Sequence, residues 1–329
     1  MLCCFTKRQQ NKKHKTITIN TRDGNFYRLS YFLVKDTPIL PSSINLMFCY
    51  SQTYTSPQRM YGKTDTMTNQ PAANPITLFD LSGKVALVTG GSRGIGSAIA
   101  QIYAQAGARV MIASRKLENT QPIADAINAA GGACIATACH TGDRAQVNAM
   151  VEQCLRELGR IDIVVNNAAT NPHFGPLINA TDEQWDKTLQ VNVKGYFAVI
   201  QEAVPHMLKQ GSGKIINVSS IAGITPGQMM GVYSVSKAAV IMLTQSLAQE
   251  LGPLGIQANV IAPGVIQTKF STALWSNQQL VNLVNRKAGR IGQPQDLAGV
   301  ALFLASSASD YVNGSVMVVD GGLEVSGTF

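Results

Sequence analysis

The chain has 329 residues, 45% hydrophobic and 14% charged, enough apolar matter for one large α/β domain and too much for a chain disordered throughout. Its net charge of +8 lies almost wholly in residues 1–66, which hold ten Lys/Arg against three Asp, while the remainder holds 17 basic and 16 acidic residues. That near-neutral remainder has no basic stripe to follow a phosphate backbone, and no apolar run reaches the ~18 residues of a membrane span, so neither nucleic acid nor membrane is expected as a partner.

Residues 1–66 show no sustained helical or alternating pattern. Their basic, Ser/Thr-rich, acid-poor composition is that of an organelle transit segment, but no amphipathic Arg-rich helix is evident. A disordered leader ahead of a working start at Met67 is the alternative, with the cytosol as the expected address. Residues 67–80 read as a polar lead-in and 81–329 as a single domain. The six cysteines (Cys3, Cys4, Cys49, Cys134, Cys139, Cys154) form no C-x-x-C and no metal-ligand spacing, so reduced thiols and no metal are expected.

From Gly83 the pattern changes. VALVT (85–89) is apolar on both faces, as a central parallel strand must be. It is followed by a glycine-rich turn and a small-residue helix, then by the strand RVMIAS (109–114), a helix near 117–130 and the strand CIATA (134–138). Helix 143–158 places Val147, Met150, Val151, Cys154, Leu155 and Leu158 on one stripe. IDIVV (161–165) precedes a long helix, 182–209, with Trp185, Leu189, Val193, Phe197, Ile200, Val204 and Leu208 on one face. KIINV (214–218), a helix around Tyr233, IQANVI (256–261), an irregular stretch 264–290, a helix starting near Pro294 and VMVVD (316–320) complete the chain. This regular alternation predicts one doubly wound, Rossmann-type parallel sheet of about seven strands with helices on both faces.

The first turn, Thr89-Gly90-Gly91-Ser92-Arg93-Gly94-Ile95-Gly96, lies between strand and helix. Glycines suit a sharp turn whose backbone must approach a pyrophosphate at a helix N-terminus, so this segment is a dinucleotide-binding candidate. An acidic residue ending the second strand would read the ribose hydroxyls of NAD; Ser114-Arg115 stands there instead, with Arg93 in the glycine turn. Two guanidinium groups fit a 2′-phosphate, which favours NADP(H) over NAD(H).

Further along, Tyr233 and Lys237 stand four residues apart on one helical face, with Ser220 upstream. A cation beside a phenol lowers its pKa, and a tyrosine so tuned exchanges a proton with a carbonyl or alcohol oxygen near neutral pH. Alone, Y-x-x-x-K recurs by chance; here it follows a nucleotide-binding turn.

In these motifs the chain resembles the short-chain dehydrogenase/reductase family over roughly residues 81–322. TGGSRGIG matches the family's TGxxxGxG and Asn166-Asn167-Ala168-Ala169 its NNAG, with Ala169 for the last glycine. Asn192 in VNVKG, Ser220, YSVSK and Pro263-Gly264-Val265-Ile266-Gln267-Thr268 match further motifs. The wording around Cys139-His140, NNAATNPHFG and RIGQPQDLAG resembles the NADPH-dependent carbonyl and retinal reductase branch. The resemblance implies that Tyr233 is the acid/base, that Lys237 lowers its pKa and binds the nicotinamide ribose, that Ser220 polarises the carbonyl, and that Asn192 holds a relay water. It also implies cofactor contacts from Gly90, Ser92, Arg93, Gly94, Ile95, Gly96, Ser114, Arg115, Asn167, Ala168, Tyr233, Lys237, Pro263, Gly264, Ile266 and Thr268. Ser219 neighbours Ser220, but strand alternation points it elsewhere. Where many relatives place Asp or Asn to hold the adenine, this chain has His140, whose role stays open.

The expected substrate is a small apolar ketone or aldehyde, its pocket walled by His173, Phe174, Gln228 to Met230 and Phe270 to Trp275. A 3-oxoacyl-thioester reductase and a catalytically silent nucleotide-binding subunit are the alternatives. The family implies a homo-oligomer, dimer or tetramer, built on the two long helices and the last strand.

Overall fold

Val85–Thr89 is buried along its whole length, and alternate residues of it face different cores. Ala86 and Val88 pack with one set of helices, Val85 and Leu87 with another. A strand covered on both faces needs no polar side, which is why it reads as an unbroken apolar run.

The computed structural model describes residues 75–325 and two N-terminal strands, which fall into two compact units, Met1–Asn69 and Gln70–Phe329. In the first unit β1 (Lys13–Asn20) and β2 (Phe26–Leu33) pair antiparallel, Lys13 opposite Leu33 and Asn20 opposite Phe26. That hairpin departs from the expectation of no alternating pattern; KHKTITIN and FYRLSYFL carry the β-branched and aromatic residues that suit strands. The rest of the leader, with its transit reading, and residues 67–74 lie outside the described residues.

The second unit is built on a seven-stranded parallel sheet of order β5-β4-β3-β6-β7-β8-β9. Its strands are β3 (Val85–Thr89), β4 (Arg109–Ser114), β5 (Ala133–Ala138), β6 (Ile163–Asn166), β7 (Gly213–Val218), β8 (Ile256–Pro263) and β9 (Val316–Val319). On one face lie α1 (Gly94–Gln105), α2 (Leu117–Ala129) and α9 (Ala298–Ala305), through Ile99, Tyr103, Ile127 and Leu304. On the other lie α3 (Arg144–Leu158), α5 (Gly195–Gln210) and α6 (Gly231–Leu251), through Val147, Cys154, Val199, Met207 and Ala248. The strand order reverses direction at β3, whose neighbours are β4 and β6. In such sheets the crevice beyond the strand ends at that point is where ligands bind.

Two expectations are corrected. The helix at 182–209 is not continuous: α4 (Asp182–Leu189) passes through a π turn at Gln190–Lys194 into α5. One extra residue in a turn shifts every later side chain by about 100° around the axis. The buried face of α5 is therefore Tyr196, Val199, Ile200, Ala203 and Met207, while Phe197 and Leu208, expected on the packed stripe, are 45% and 41% exposed. The stretch 264–290 is not irregular but holds α7 (Thr272–Trp275) and α8 (Gln278–Ala288). Asn277 caps α8 by accepting from the Gln279 and Leu280 amides.

Candidate active site

The glycine turn after β3 is held from β6. Thr89 Oγ1 accepts the amides of Asn167 at 3.0 Å and Ala168 at 3.3 Å. The Asn167 side chain returns its amide to the carbonyls of Thr89 and Gly90, at 3.2 and 3.1 Å. Side chains are shut out of this turn: a Cβ on Gly96 would stand 2.4 Å from the Gly90 oxygen, and one on Gly90 2.6 Å from Asn167 Nδ2. Gly94, which opens α1, has φ +57°, a left-handed conformation that glycine adopts without strain. Arg93 at the N-cap makes no side-chain cap, so no side chain covers the first amides of α1, the donors that a phosphate takes. Cβ-free backbone and open amides at the switch point fit a dinucleotide pyrophosphate.

Arg93 and Arg115 are exposed, and neither is drawn into an ion pair among the described residues. The Ser114 hydroxyl is engaged locally, 2.5 Å from Thr120 Oγ1 and donating to the Lys116 carbonyl at 3.0 Å. On the other side of the turn, an ideal Cβ on Gly94 would lie 3.1 Å from Thr268 Cγ2, so the segment from Pro263 to Thr268 adjoins the glycine loop. Ser271 pins this segment, its hydroxyl donating to the Ile266 carbonyl and lying 3.0 Å from Thr268 Oγ1. Gly264 approaches Asp320 so closely that a Cβ would stand 2.6 Å from the Asp320 Cβ. His140 Nδ1 accepts the Gly142 amide at 3.1 Å, which leaves Nε2 as the other hydrogen-bonding nitrogen of the ring.

Ser219 and Ser220 leave β7 in different directions. Ser219 is buried and donates to the Lys237 carbonyl at 2.8 Å. Ser220 opens a short 3-10 turn, where its Oγ accepts the Ala222 amide at 3.1 Å, close enough to the Tyr233 phenol to lower its pKa. Tyr233 and Lys237 lie in the first two turns of α6, 8% and 1% exposed. Lys237 Nζ donates to the Val218 carbonyl at 2.8 Å and to the Tyr196 hydroxyl at 3.3 Å. It stands 5.6 Å from the centre of the Tyr233 ring.

Electrostatics here differ from the expectation. Burial pushes the Tyr233 phenol above its ordinary range, and the nearby Ser220 hydroxyl draws it only partway back. Burial also pushes Lys237 down from 10.5 to about 7. In the protein without nucleotide or substrate, Tyr233 therefore shows a net rise rather than the expected lowering: desolvation disfavours both charged forms, and the Lys237 ammonium donates to the Val218 carbonyl. A phenol held high stays protonated at neutral pH and gives up its proton only to an oxygen that gathers negative charge as the reaction proceeds.

Asn192 sits in the π turn, 0% exposed. Its Oδ1 accepts the Thr170 amide at 2.8 Å, and its Nδ2 donates to the Thr170 carbonyl at 2.9 Å and to Ser236 Oγ at 3.0 Å. Ser236 in turn donates to the Tyr233 carbonyl at 2.7 Å. The side chain thus braces the Tyr233 turn against the loop after β6, with both of its amide protons committed to protein. Sequence reasoning missed Tyr196, which the π turn swings beneath Lys237; nothing in the periodicity of 182–209 marks it.

The expected pocket wall lies in loops beyond the strand ends and, at Thr272 to Trp275, in α7. His173 is 8% exposed, its Nε2 3.0 Å from the Pro176 carbonyl, so it ties its own loop. The Gly175 amide donates to the Met229 carbonyl at 2.8 Å, linking the loop after β6 to the segment before Tyr233. Met229 has φ +64°, a strained conformation for a side-chain-bearing residue. Phe270 packs tilted on the Tyr233 ring, centroids 5.8 Å apart, and Trp275 Nε1 donates to the Thr268 carbonyl at 2.9 Å. Phe174, Met229 and Phe270 are 52%, 40% and 53% exposed, apolar side chains on the loops that flank the segment before Tyr233 and on the Tyr233 ring itself. The thiols of Cys134, Cys139 and Cys154 are unpaired and pushed up to about 12, 11 and 12 by burial. Among the described residues no His, Cys, Asp and Glu side chains group as a metal site, and no helix is long and apolar enough to cross a membrane.

The sequence profile of a family described as Enoyl-(Acyl carrier protein) reductase matches residues 90–324. Rabbit (Oryctolagus cuniculus) dehydrogenase/reductase SDR family member 4 is 42% identical over 254 residues, covering 76% of this chain and 98% of the relative. The 3-oxoacyl-[acyl-carrier-protein] reductase FabG of Thermotoga maritima is 40% identical over 247 residues, 74% of this chain and 99% of its own. Among solved structures, a gluconate 5-dehydrogenase from Burkholderia cenocepacia in complex with NADP and tartrate superposes with TM-score 0.74 at 37% identity, covering 77% of this chain and 99% of that one.

Proposed function

The chain belongs to the short-chain dehydrogenase/reductase family of oxidoreductases, and on that premise we propose that it is an NADPH-dependent carbonyl reductase acting on apolar ketones or aldehydes. The observation that carries this reading is the Ser220 hydroxyl beside a buried Tyr233 on the helix that also buries Lys237. A bound nicotinamide would supply hydride to the carbonyl carbon. Negative charge then gathers on the carbonyl oxygen, and Ser220 and Tyr233 are the two hydroxyl donors placed to meet it. Tyr233 gives up its proton, and the Lys237 ammonium stabilises the phenolate left behind. Burial of the pair excludes water, which strengthens each of these interactions.

The glycine turn and the amides of α1 would hold the pyrophosphate, and Pro263 to Thr268 the nicotinamide end. Arg93 and Arg115, exposed and unpaired with acids among the described residues, would take the 2′-phosphate, which supports NADPH over NADH. Exposed Phe270 on the Tyr233 ring, with exposed Phe174 and Met229 on the neighbouring loops, supports a hydrophobic carbonyl compound. The identity with the rabbit dehydrogenase/reductase supports the carbonyl-reductase reading, and that with the Thermotoga enzyme favours a second one, reduction of 3-oxoacyl thioesters. Unpaired buried thiols suit a reducing compartment such as the cytosol. Phe197 and Leu208 on α5 and Val235 and Met242 on α6, all exposed, support assembly as a homo-oligomer.

The test is initial-rate reduction of aromatic ketones, α-diketones, retinal and acetoacetyl thioesters by the full chain, each with NADPH and with NADH. The proposal expects ketone turnover with NADPH. A preference for thioesters would replace it with the second reading, and equal use of NADH would remove the argument from the arginines.

A further inference from the structure

We propose that the Tyr196 hydroxyl is a positioning residue for Lys237, holding its ammonium beside Tyr233. The inference rests on the reading of Tyr233 and Lys237 as the proton-transfer pair and adds a third member to it. Tyr196 is 0% exposed and follows the π turn directly. Its hydroxyl donates to the Val218 carbonyl at 3.1 Å and accepts from Lys237 Nζ at 3.3 Å. Lys237 donates to the same carbonyl at 2.8 Å, so the hydroxyl, the ammonium and the last carbonyl of β7 close a triangle. The ring adds to it, its centroid 5.1 Å from Nζ, within reach of a cation–π attraction.

This arrangement is more than packing. An ammonium has three protons to place, and Val218 and Tyr196 take two, leaving the third for what binds in the cleft. The titratable groups facing Nζ among the described residues are Tyr196 on α5 and Tyr233 on α6, with no carboxylate beside them. The charge is therefore held by neutral acceptors and ring faces alone, and loss of one acceptor weighs heavily in a buried site. Burial brings Lys237 to about 7, so a lost acceptor would act within the working pH range. Because Tyr196 accepts from Lys237, it favours the charged form. Without it the ammonium gives up its proton at lower pH.

The experiment compares wild type, Tyr196→Phe and Tyr233→Phe by kcat, KM and nucleotide affinity across pH, and measures thermal stability of the first two without nucleotide at about pH 6 and about pH 9. Tyr196→Phe removes one oxygen and keeps the ring. The expected result is a several-fold fall in kcat with little change in KM, and a limb of the kcat–pH profile assigned to Lys237 displaced to lower pH by about one unit, the size expected from losing one charged hydrogen bond. Its loss of stability should be greater at the lower pH, where Lys237 is charged. A purely structural role predicts equal losses at the two pH values and an unmoved limb, and that result would overturn the inference. Should Tyr196→Phe turn over too poorly for a profile, the stability comparison decides alone. If Tyr233→Phe keeps full activity, the reading of the catalytic pair fails instead, so the two failures are distinct.

Discussion

Replacing Lys237 by methionine should change how the protein's stability depends on pH. Lys237 is 1% exposed, with two neutral acceptors and no acid at its ammonium, and burial moves it from 10.5 to about 7. Between those values the unfolded chain binds a proton that the folded chain does not. Stability therefore rises as pH increases through that window, and the cost of burying the charge is borne in full below about 7. At about 1.4 kcal/mol per unit, roughly 2–3 kcal/mol of this change falls between pH 6 and pH 9. For a domain of this size that is about 5–10 °C in Tm. Thermal unfolding of wild type and Lys237→Met, without nucleotide, reads it directly. The difference in Tm between the two should shift in favour of wild type by about that amount from the lower to the higher pH. A difference that stays constant would refute the argument, because it would mean that Lys237 is solvated or paired in the folded protein.

Three further outcomes are expected. Gly96→Ala would put a Cβ 2.4 Å from the Gly90 oxygen, so it should cost about 1–3 kcal/mol of stability and abolish nucleotide binding, as checked by unfolding and by NADPH fluorescence titration. Arg93→Ala and Arg115→Ala should each weaken NADPH about tenfold while leaving NADH affinity unchanged, one lost charged hydrogen bond being worth about 1.5–3 kcal/mol; equal losses for both nucleotides would contradict the 2′-phosphate role. Phe270→Ala removes the ring that packs on Tyr233, and should raise KM for aromatic ketones more than for small aliphatic ones.

The sheet was legible because burial on both faces leaves an apolar run that no other element produces at that length. VALVT, RVMIAS and KIINV became β3, β4 and β7 with ends within one residue of those expected. Glycines at 90, 94 and 96 were readable for a similar reason, since backbone crowding leaves no alternative residue. The long helix failed because a π turn inserts one residue without disturbing the apolar content on which the periodicity relies. Trp185 and Leu189 belong to one phase, Tyr196 and Val199 to another. The missed α8 is rich in amides, and its apolar residues Leu280, Val281, Leu283 and Val284 are too few to outweigh them; its cap at Asn277 was the available signal. Ser220 could be chosen over Ser219 from its family-like spacing to Tyr233 together with strand alternation, and Ser219 does turn away, onto the Lys237 carbonyl. The high phenol of Tyr233 could not be anticipated, because spacing brings a cation near but says nothing of how much water the fold removes.

The most direct measurement of the central claim is a single-turnover experiment with NADPH and an apolar ketone, wild type against Tyr233→Phe, with nucleotide affinity measured on both. Hydride transfer should slow by about 10²–10⁴-fold in the variant, the range for loss of a general acid, while NADPH binds with wild-type affinity. Turnover within a few-fold of wild type would contradict the assignment of Tyr233 as the proton donor.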